Sequence, residues 1–180
     1  MEQKIAYLMR GLPSCGKSFT ARRIIGRSGV VLETDAYFYH CVGSDPAKYD
    51  YDAALLDDAR QWNFDRFRKA IADQVSPIVV DRGNGRNAES ARYAVYAANH
   101  GYRVELCEPE SPWWQEIRVL LKYKHLTGPV LEEWAQALAE RSKQTHRVPA
   151  ATILDWMKKW RWDLTVDEII NCYQPEDERV

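Results

Sequence analysis

The sequence contains no apolar run that approaches the roughly 20 residues that a membrane-spanning helix needs, although 46% of its 180 residues are hydrophobic. It also contains no internal repeat, no low-complexity tract and no obvious linker. These absences predict one globular domain over residues 1–180. The chain begins with a strand-like segment and without a signal-peptide pattern, so we expect a cytoplasmic protein that does not bind membranes.

Cysteine is scarce and scattered. The four cysteines are Cys15, Cys41, Cys107 and Cys172, and no two of them form a Cys-x-x-Cys pair. This spacing argues against a zinc site and against a disulfide framework. We expect reduced, buried thiols at three of the positions. Cys15 lies in a glycine-rich segment, where packing is the favoured role and redox sensitivity is the alternative.

Charge of one sign is not in excess, because 25 Lys and Arg face 26 Asp and Glu and the net charge is -1. The chain as a whole is therefore not an electrostatic binder of nucleic acid. Residues 118–161, however, contain nine basic residues and only four acidic ones. The acidic residues are Glu132, Glu133, Glu140 and Asp155, and the basic residues are Arg118, Lys122, Lys124, Arg141, Lys143, Arg147, Lys158, Lys159 and Arg161. A basic face here suits a phosphate-bearing substrate, and a solvated helix surface is the alternative.

Four short apolar runs predict buried parallel strands over Ile5–Met9, Val30–Leu32, Ile78–Val80 and Arg103–Cys107. Helical patterns separate them, ending near Gly26 and then covering about Asp52 to Gln74 and about Ala88 to His100. Beyond Pro112 the pattern is only helical, with breaks at Gly128-Pro129 and Pro149 and a last helix that starts at a capping box of Thr165 and Glu168. This order predicts an α/β fold of three layers, α/β/α, with a parallel central sheet and a helical C-terminal third.

The segment from Gly11 to Ser18 satisfies G-x-x-x-x-G-K-[ST] and stands between the first strand and the first helix. In that context backbone N–H groups and the helix dipole can surround a phosphate. Lys17 can reach the β- and γ-phosphates, and the Ser18 hydroxyl can ligate magnesium. We therefore predict a site for ATP and Mg²⁺ formed by Gly11, Pro13, Ser14, Cys15, Gly16, Lys17, Ser18 and Phe19. The alternative is a glycine-rich turn before an ordinary helix.

Two aspartates, Asp35 and Asp81, follow the second and third predicted strands. Ligands of open α/β sheets bind beyond the carboxyl ends of the strands, so both side chains are expected beside the phosphate loop. One acid can accept a proton from an attacking hydroxyl while the other organises magnesium, and the choice between them stays open. Capping of a following turn is the alternative role for each. We assign the metal to Ser18 and Asp81.

An ordered series of motifs continues along the chain: Met9 to Pro13, Thr34 to Phe38, Val80-Asp81-x-x-Asn84, Gly101 to Glu105, Cys107 to Pro109, Pro112-Trp113-Trp114, and Arg141-x-x-x-x-His146-Arg147-Val148-Pro149. This series resembles the polynucleotide-kinase-like branch of the P-loop kinases, especially the kinase-like domain of the NEDD-four-binding-protein-two group. The resemblance extends from Ile5 to about Trp162. It implies a P-loop kinase fold with a helical lid at about residues 118–150.

The resemblance also implies roles for individual residues. Asp35 matches the general base, Lys17 and Ser18 match the phosphate-loop pair, and Arg141 and Arg147 match lid arginines that close over the ATP phosphates. We place the acceptor near Asp35, Tyr37, Asp81, Asn84 and Trp113, where Tyr37 and Trp113 are candidates for stacking on a nucleobase. We expect Trp62 to lie in the core and Trp156, Trp160 and Trp162 to be structural.

Two positions depart from the family's pattern. Ser14-Cys15 stands where Gly-Ser is usual, which predicts modest nucleotide affinity if Ser14 lacks the backbone freedom of glycine. Phe38 stands where several polynucleotide kinases carry an arginine that holds the acceptor strand, and this weakens the case for a polynucleotide acceptor more than the case for a kinase.

The favoured function is transfer of the γ-phosphate of ATP to a hydroxyl, most simply the 5′-OH of DNA, RNA or a nucleotide, with no obligate protein partner. Two alternatives stay open. One is a kinase for small molecules, of the antibiotic or sugar-nucleotide type. The other is a nucleotide-binding module or weak ATPase that acts through a partner.

Overall fold

The computed structural model describes residues 3–41, 49–82, 87–143, 145 and 147–174. Four strands form a parallel sheet in the order β2-β3-β1-β4, and they are β1 (Ile5–Met9), β2 (Val30–Glu33), β3 (Ile78–Asp81) and β4 (Arg103–Cys107). All four predicted strands are confirmed. The strands β2 and β3 each extend one residue further than predicted, and the added residues, Glu33 and Asp81, lie opposite each other.

Eight helices are present in the described residues: α1 (Lys17–Ile25), α2 (Tyr37–His40), α3 (Leu56–Ala72), α4 (Asn87–Asn99), α5 (Pro112–Lys122), α6 (Gly128–Ser142), α7 (Ala150–Lys158) and α8 (Val166–Asn171). The predicted capping box of Thr165 and Glu168 begins α8. The short helix α2 was not predicted. None of the helices in the described ranges has the length and apolar character to span a bilayer.

The alternation of side chains along the strands places helices on both faces of the sheet. On one face, Met9 and Val79 pack against Ala21 of α1. On the other face, strand residues such as Ile78 pack with α3, α4 and α8 in the largest hydrophobic cluster, which includes Phe67 and other fully buried side chains. The three-layer α/β/α architecture is therefore confirmed.

The helices α5, α6 and α7 form a second cluster that rests on the glycine-rich segment rather than on the sheet. Leu12 and Cys15 of that segment are buried in it, together with Trp114, Leu138 and Met157. Full burial of each large apolar side chain contributes about 1.5–3 kcal/mol. The glycine-rich segment is thus part of a hydrophobic core and not a free surface loop.

Candidate active site

The phosphate loop, residues Gly11 to Ser18, runs from the carboxyl end of β1 into the first turn of α1. Three of its residues have positive φ: Gly11 at 153°, Ser14 at 58° and Gly16 at 88°. Left-handed residues within such a turn are what an anion-binding nest of backbone N–H groups requires. The loop therefore has a backbone suited to a phosphate group.

The Lys17 ammonium lies against the first residues of the loop. Its Nζ donates to the carbonyl oxygens of Gly11 at 3.0 Å and Leu12 at 3.1 Å. Both acceptors are neutral carbonyls, whereas phosphate oxygens carry negative charge and attract an ammonium more strongly. Phosphate oxygens can therefore compete with these carbonyls for Lys17.

Ser18, Asp81 and Glu33 form a polar cluster beside the loop. The Ser18 hydroxyl donates to Oδ2 of Asp81 at 2.8 Å, and Asp81 is only 8% exposed. Burial raises the pKa of Glu33, Asp81 raises it further, and the charge of Arg22 acts in the opposite direction. The motifs of the sequence indicated Ser18 and Asp81 but not Glu33, whose sequence signal is its position at the end of β2.

The oxygen atoms of this cluster fit a magnesium ion. Mg²⁺ prefers hydroxyl, carboxylate and water oxygens, and in nucleotide sites it takes one or two protein ligands and completes its shell with phosphate and water. The described residues contain no set of three or more His, Cys, Asp or Glu side chains able to hold a metal. A metal held partly by phosphate needs no such set.

Asp35 lies two residues beyond β2 and is exposed to solvent. The phenol of Tyr49 donates a hydrogen bond to its carboxylate, and the pKa of Tyr49 is raised by burial and then by the charge of Asp35. The Tyr49 ring packs on Phe38 at 5.9 Å and on Tyr39 at 5.0 Å between centroids. Sequence analysis missed Tyr49, which restrains Asp35 while leaving the carboxylate accessible.

The first turn of α5 holds the phosphate loop from the β4 side. Ser111 caps α5 by accepting from the N–H of Trp114, and its own hydroxyl donates to the carbonyl of Cys15 at 2.8 Å. Trp113 Nε1 donates to the carbonyl of Ser14 at 3.1 Å. Two successive loop carbonyls are therefore bound by one helix end, and Trp113 lies against the loop itself.

The two predicted lid arginines differ in position. Arg141, in the last turn of α6, stacks on Trp113 with its Cζ atom 4.7 Å from the ring centroid, so it lies one side chain away from Ser14. Arg147 is exposed, with φ of 51°, and its N–H donates to the carbonyl of Ser142 at 2.8 Å. Among the described residues no bond joins the Arg147 side chain to the loop. Asn84 and His146 lie outside the described residues.

The burial of Cys15 favours packing over redox sensitivity as the role of its side chain. Its side chain is fully buried, and burial raises its pKa to about 12. A thiol in that environment is protonated at neutral pH and unreactive, so packing is its role. Cys41 is exposed, whereas Cys107 and Cys172 are partly buried, so the expectation of buried thiols fails at Cys41.

Comparison with known proteins decides the family. The family model described as an AAA domain matches residues 7–161. The chain belongs to this AAA-domain family. The matched range contains the phosphate loop, Asp35, Asp81 and both predicted lid arginines, so the AAA domain includes the whole candidate site.

Two further likenesses agree with this AAA-domain assignment. The chain is 37% identical to NEDD4-binding protein 2 of Homo sapiens over 113 residues, which are 62% of this chain and 6% of that protein. It is also similar to a chain in the structure of the Pnkp1/Rnl/Hen1 RNA repair complex, with a TM-score of 0.53 and 16% identity, covering 90% of this chain and 48% of the other. The predicted resemblance is confirmed as membership of the AAA-domain family and as a P-loop kinase-like fold. The chain spans a small part of the first relative and about half of the second.

The residues predicted for the site of this AAA domain differ in where they lie. Lys17, Ser18 and Asp81 lie together at the loop. Tyr37 is half-buried with its ring 5.6 Å from that of Trp62, which is itself half-buried and not in the core. The Phe19 side chain is 74% exposed. The functional roles of all predicted site residues stay predictions.

Ser14 provides a test of the loop's backbone strain. Its φ of 58° costs a non-glycine residue roughly 1–2 kcal/mol. A phosphate held by the backbone N–H groups of the loop needs this same conformation, so we expect the strain in both the free and the bound state. We expect Ser14→Gly to raise the free energy of unfolding by about 0.5–1 kcal/mol, since the glycine's added entropy in the unfolded chain offsets part of the gain. The ATP dissociation constant should stay within about twofold.

Urea unfolding and ATP titration measure the two quantities. Gln74 is the matched control, because it also has φ of 58° and is exposed far from the loop in sequence. Gln74→Gly should stabilise the chain by a similar amount. A gain in ATP affinity above about fivefold in Ser14→Gly would instead show that the serine limits nucleotide binding, as the sequence alone suggested.

Proposed function

We propose that this AAA-domain chain is an Mg-ATP-dependent kinase that transfers the γ-phosphate to a hydroxyl, with the 5′-OH of a polynucleotide or nucleotide as the favoured acceptor. The observation that carries the proposal is the 2.8 Å bond between Ser18 and Asp81 at the sheet edge where Asp35 also emerges. A phosphate site, a magnesium site and an accessible carboxylate thus adjoin each other. A nucleotide-binding module with no transfer chemistry has no need for that carboxylate.

The residues of the loop supply phosphate binding and charge stabilisation. Lys17 binds the β- and γ-phosphates, while Ser18 and Asp81 hold Mg²⁺, which neutralises charge on the phosphate oxygens. Arg141 lies next to the loop and can stabilise charge that develops during transfer. Arg147 would need movement of the segment after α6 to reach the same phosphates.

Asp35 is the proposed general base. It accepts the proton of the acceptor hydroxyl while that oxygen bonds to the γ-phosphorus, and the bond to the bridging oxygen breaks with its electron pair leaving on ADP. The hydrogen bond from Tyr49 restricts the rotation of the Asp35 side chain. This restraint favours a productive geometry of acceptor and base.

We also propose that residues 1–180 act as one domain in which residues 118–150 form a lid. Support comes from the second hydrophobic cluster, which joins α5, α6 and α7 to Leu12 and Cys15 of the loop. A lid that shares its core with the phosphate loop can respond directly to the nucleotide. Limited proteolysis with and without Mg-ATP would measure that response.

Label transfer from γ-labelled ATP tests the proposed function. DNA and RNA oligonucleotides with a 5′-OH are compared with the same oligonucleotides carrying a 5′-phosphate, in the presence of Mg²⁺. We expect label only in the 5′-OH samples. If ATP binds and neither oligonucleotide is labelled, the polynucleotide acceptor is wrong, and a panel of small hydroxyl compounds then separates a small-molecule kinase from a weak ATPase.

A further inference from the structure

Arg66, on α3, is unusual among the arginines of its helix. Arg60 and Arg68 each pair with an aspartate three residues earlier in the chain, Asp57 and Asp65. Arg66 is half-buried, and within the described residues its guanidinium takes part in no hydrogen bond or ion pair, with Nη1 fully shielded from solvent. A buried charged donor with no acceptor is costly, so it requires an explanation.

The surroundings of Arg66 point to the acceptor side of the candidate site. Its Cζ atom lies 4.3 Å from the ring centroid of Trp62, one turn earlier on α3. The Trp62 ring in turn meets the Tyr37 ring edge to face, 5.6 Å between centroids. Tyr37 is two residues beyond Asp35, so these three side chains form a continuous surface beside the proposed base.

The electrostatic environment of Arg66 agrees with this placement. Burial lowers its pKa, and the nearby charge of Glu33 acts in the opposite direction. Glu33 lies two residues before Asp35 in the chain. The guanidinium therefore lies near the segment of residues 33–37 and remains protonated, because an arginine keeps its charge in proteins.

We propose that Arg66 binds a phosphate group of the acceptor, while Tyr37 and Trp62 contact the adjoining nucleobase. The substrate class is a nucleoside whose 5′-OH is free and whose 3′ side carries a phosphate, as in a polynucleotide or a nucleoside 3′-phosphate. The edge of the planar guanidinium formed by Nε and Nη2, which are not among the shielded atoms without a partner, can donate two parallel hydrogen bonds to phosphate oxygens. Aromatic rings stack on bases of any sequence. This inference rests on the proposed kinase function and specifies its acceptor.

Binding measured without ATP tests the inference. The probes are a single-stranded 5′-OH oligonucleotide labelled at its 3′ end, followed by fluorescence anisotropy, and a nucleoside 3′-phosphate and the plain nucleoside as competitors. Arg66→Gln should weaken binding of both phosphate-bearing probes by about 10- to 100-fold. Arg66→Lys should fall between Arg66→Gln and the original chain, because it keeps the charge and loses the planar fork.

Arg68→Gln is the matched control, since it removes the same charge from an exposed position on the same helix. It should change binding by no more than about threefold. The dissociation constants of the plain nucleoside and of ATP should be the same in Arg66→Gln and in the original chain. If Arg66 only supported folding, Arg66→Gln would weaken binding of the plain nucleoside as much as binding of the phosphate-bearing probes.

Three results would overturn the inference: equal binding by Arg66→Gln and the original chain, equal weakening by Arg66→Gln and Arg68→Gln, and no binding of any phosphate-bearing probe. The outcome is separable from that of the proposed function. Binding through Arg66 without label transfer refutes the kinase reaction and keeps the site. Label transfer with the same acceptor KM in Arg66→Gln refutes the site and keeps the kinase.

Discussion

We expect Asp35→Asn to lower the rate of phosphoryl transfer by about 10²- to 10⁴-fold, which is the usual contribution of a positioned general base. The amide has nearly the shape of the carboxylate and cannot take the proton of the acceptor hydroxyl. Asp35 is exposed and lies outside the phosphate loop, so binding of ATP and the melting temperature should stay unchanged. Steady-state kinetics with the labelled oligonucleotide should therefore show the loss in kcat.

Two variants show whether the loss belongs to Asp35 itself. Asp50→Asn removes the same charge from an exposed aspartate next to Tyr49 in the chain, and it should leave kcat within about twofold. Tyr49→Phe removes the hydrogen bond to Asp35 and should lower kcat by about tenfold. If Asp35→Asn kept more than about a tenth of the original kcat, the general-base role of Asp35 would be wrong.

The second large effect is expected at the start of the phosphate loop. A Cβ atom on Gly11 would lie 2.8 Å from Cγ and 2.9 Å from Cδ of Pro109, and 3.2 Å from Cγ of Lys17. Its φ of 153° is a conformation that other residues rarely adopt. Strain and overpacking together should cost about 2–5 kcal/mol. We expect Gly11→Ala to lose that stability in urea, or to displace the loop and weaken ATP binding by at least about 30-fold.

Gly26→Ala is the control for this substitution. Gly26 also has positive φ, 55°, but a Cβ atom there meets nothing within 4 Å. Its ψ of -127° lies outside the left-handed helical region, so the change should cost about 1–3 kcal/mol of backbone strain and leave ATP affinity unaltered. Equal effects of the two substitutions would show that the contact between Gly11 and Pro109 does not determine the loop's geometry.

Several basic residues of the predicted face at residues 118–161 have partners within the described part of the chain. Arg118 pairs with Glu108 at 2.8 Å, and Lys159 pairs with Asp155 at 2.8 Å. The Lys124 ammonium donates to two backbone carbonyls, of residues 158 and 160. Exposed pairs of this kind contribute about 0–1 kcal/mol each. These contacts favour the solvated-surface interpretation for most of the region and leave Arg141 as the cation beside the loop.

Patterns local in the sequence were enough to predict the four strands, the longer helices and the phosphate loop, but not α2. The phosphate loop depends on local backbone geometry, so a short motif of adjacent residues is enough to identify it. The motif residues are Gly11, Gly16, Lys17 and Ser18. The strands were found because parallel strands covered on both faces are continuously apolar. The capping box of Thr165 and Glu168 could also be predicted, because both of its hydrogen bonds connect residues only three positions apart.

Contacts between distant side chains at the site depend on how the whole chain packs. The sequence brought Ser18 and Asp81 together, because ligands of open α/β sheets bind at the carboxyl ends of the strands. No local pattern gave the hydrogen bond between Ser14 and Trp113, which are 99 residues apart. The pairing of Glu33 with Asp81 follows from the strand order β2-β3-β1-β4, which no local pattern specifies. Hydrogen bonds and ring contacts depend on positions in space to within a few tenths of an ångström, and those positions arise from packing of the whole chain. For that reason Glu33, Tyr49 and Arg66 emerged only from the folded molecule.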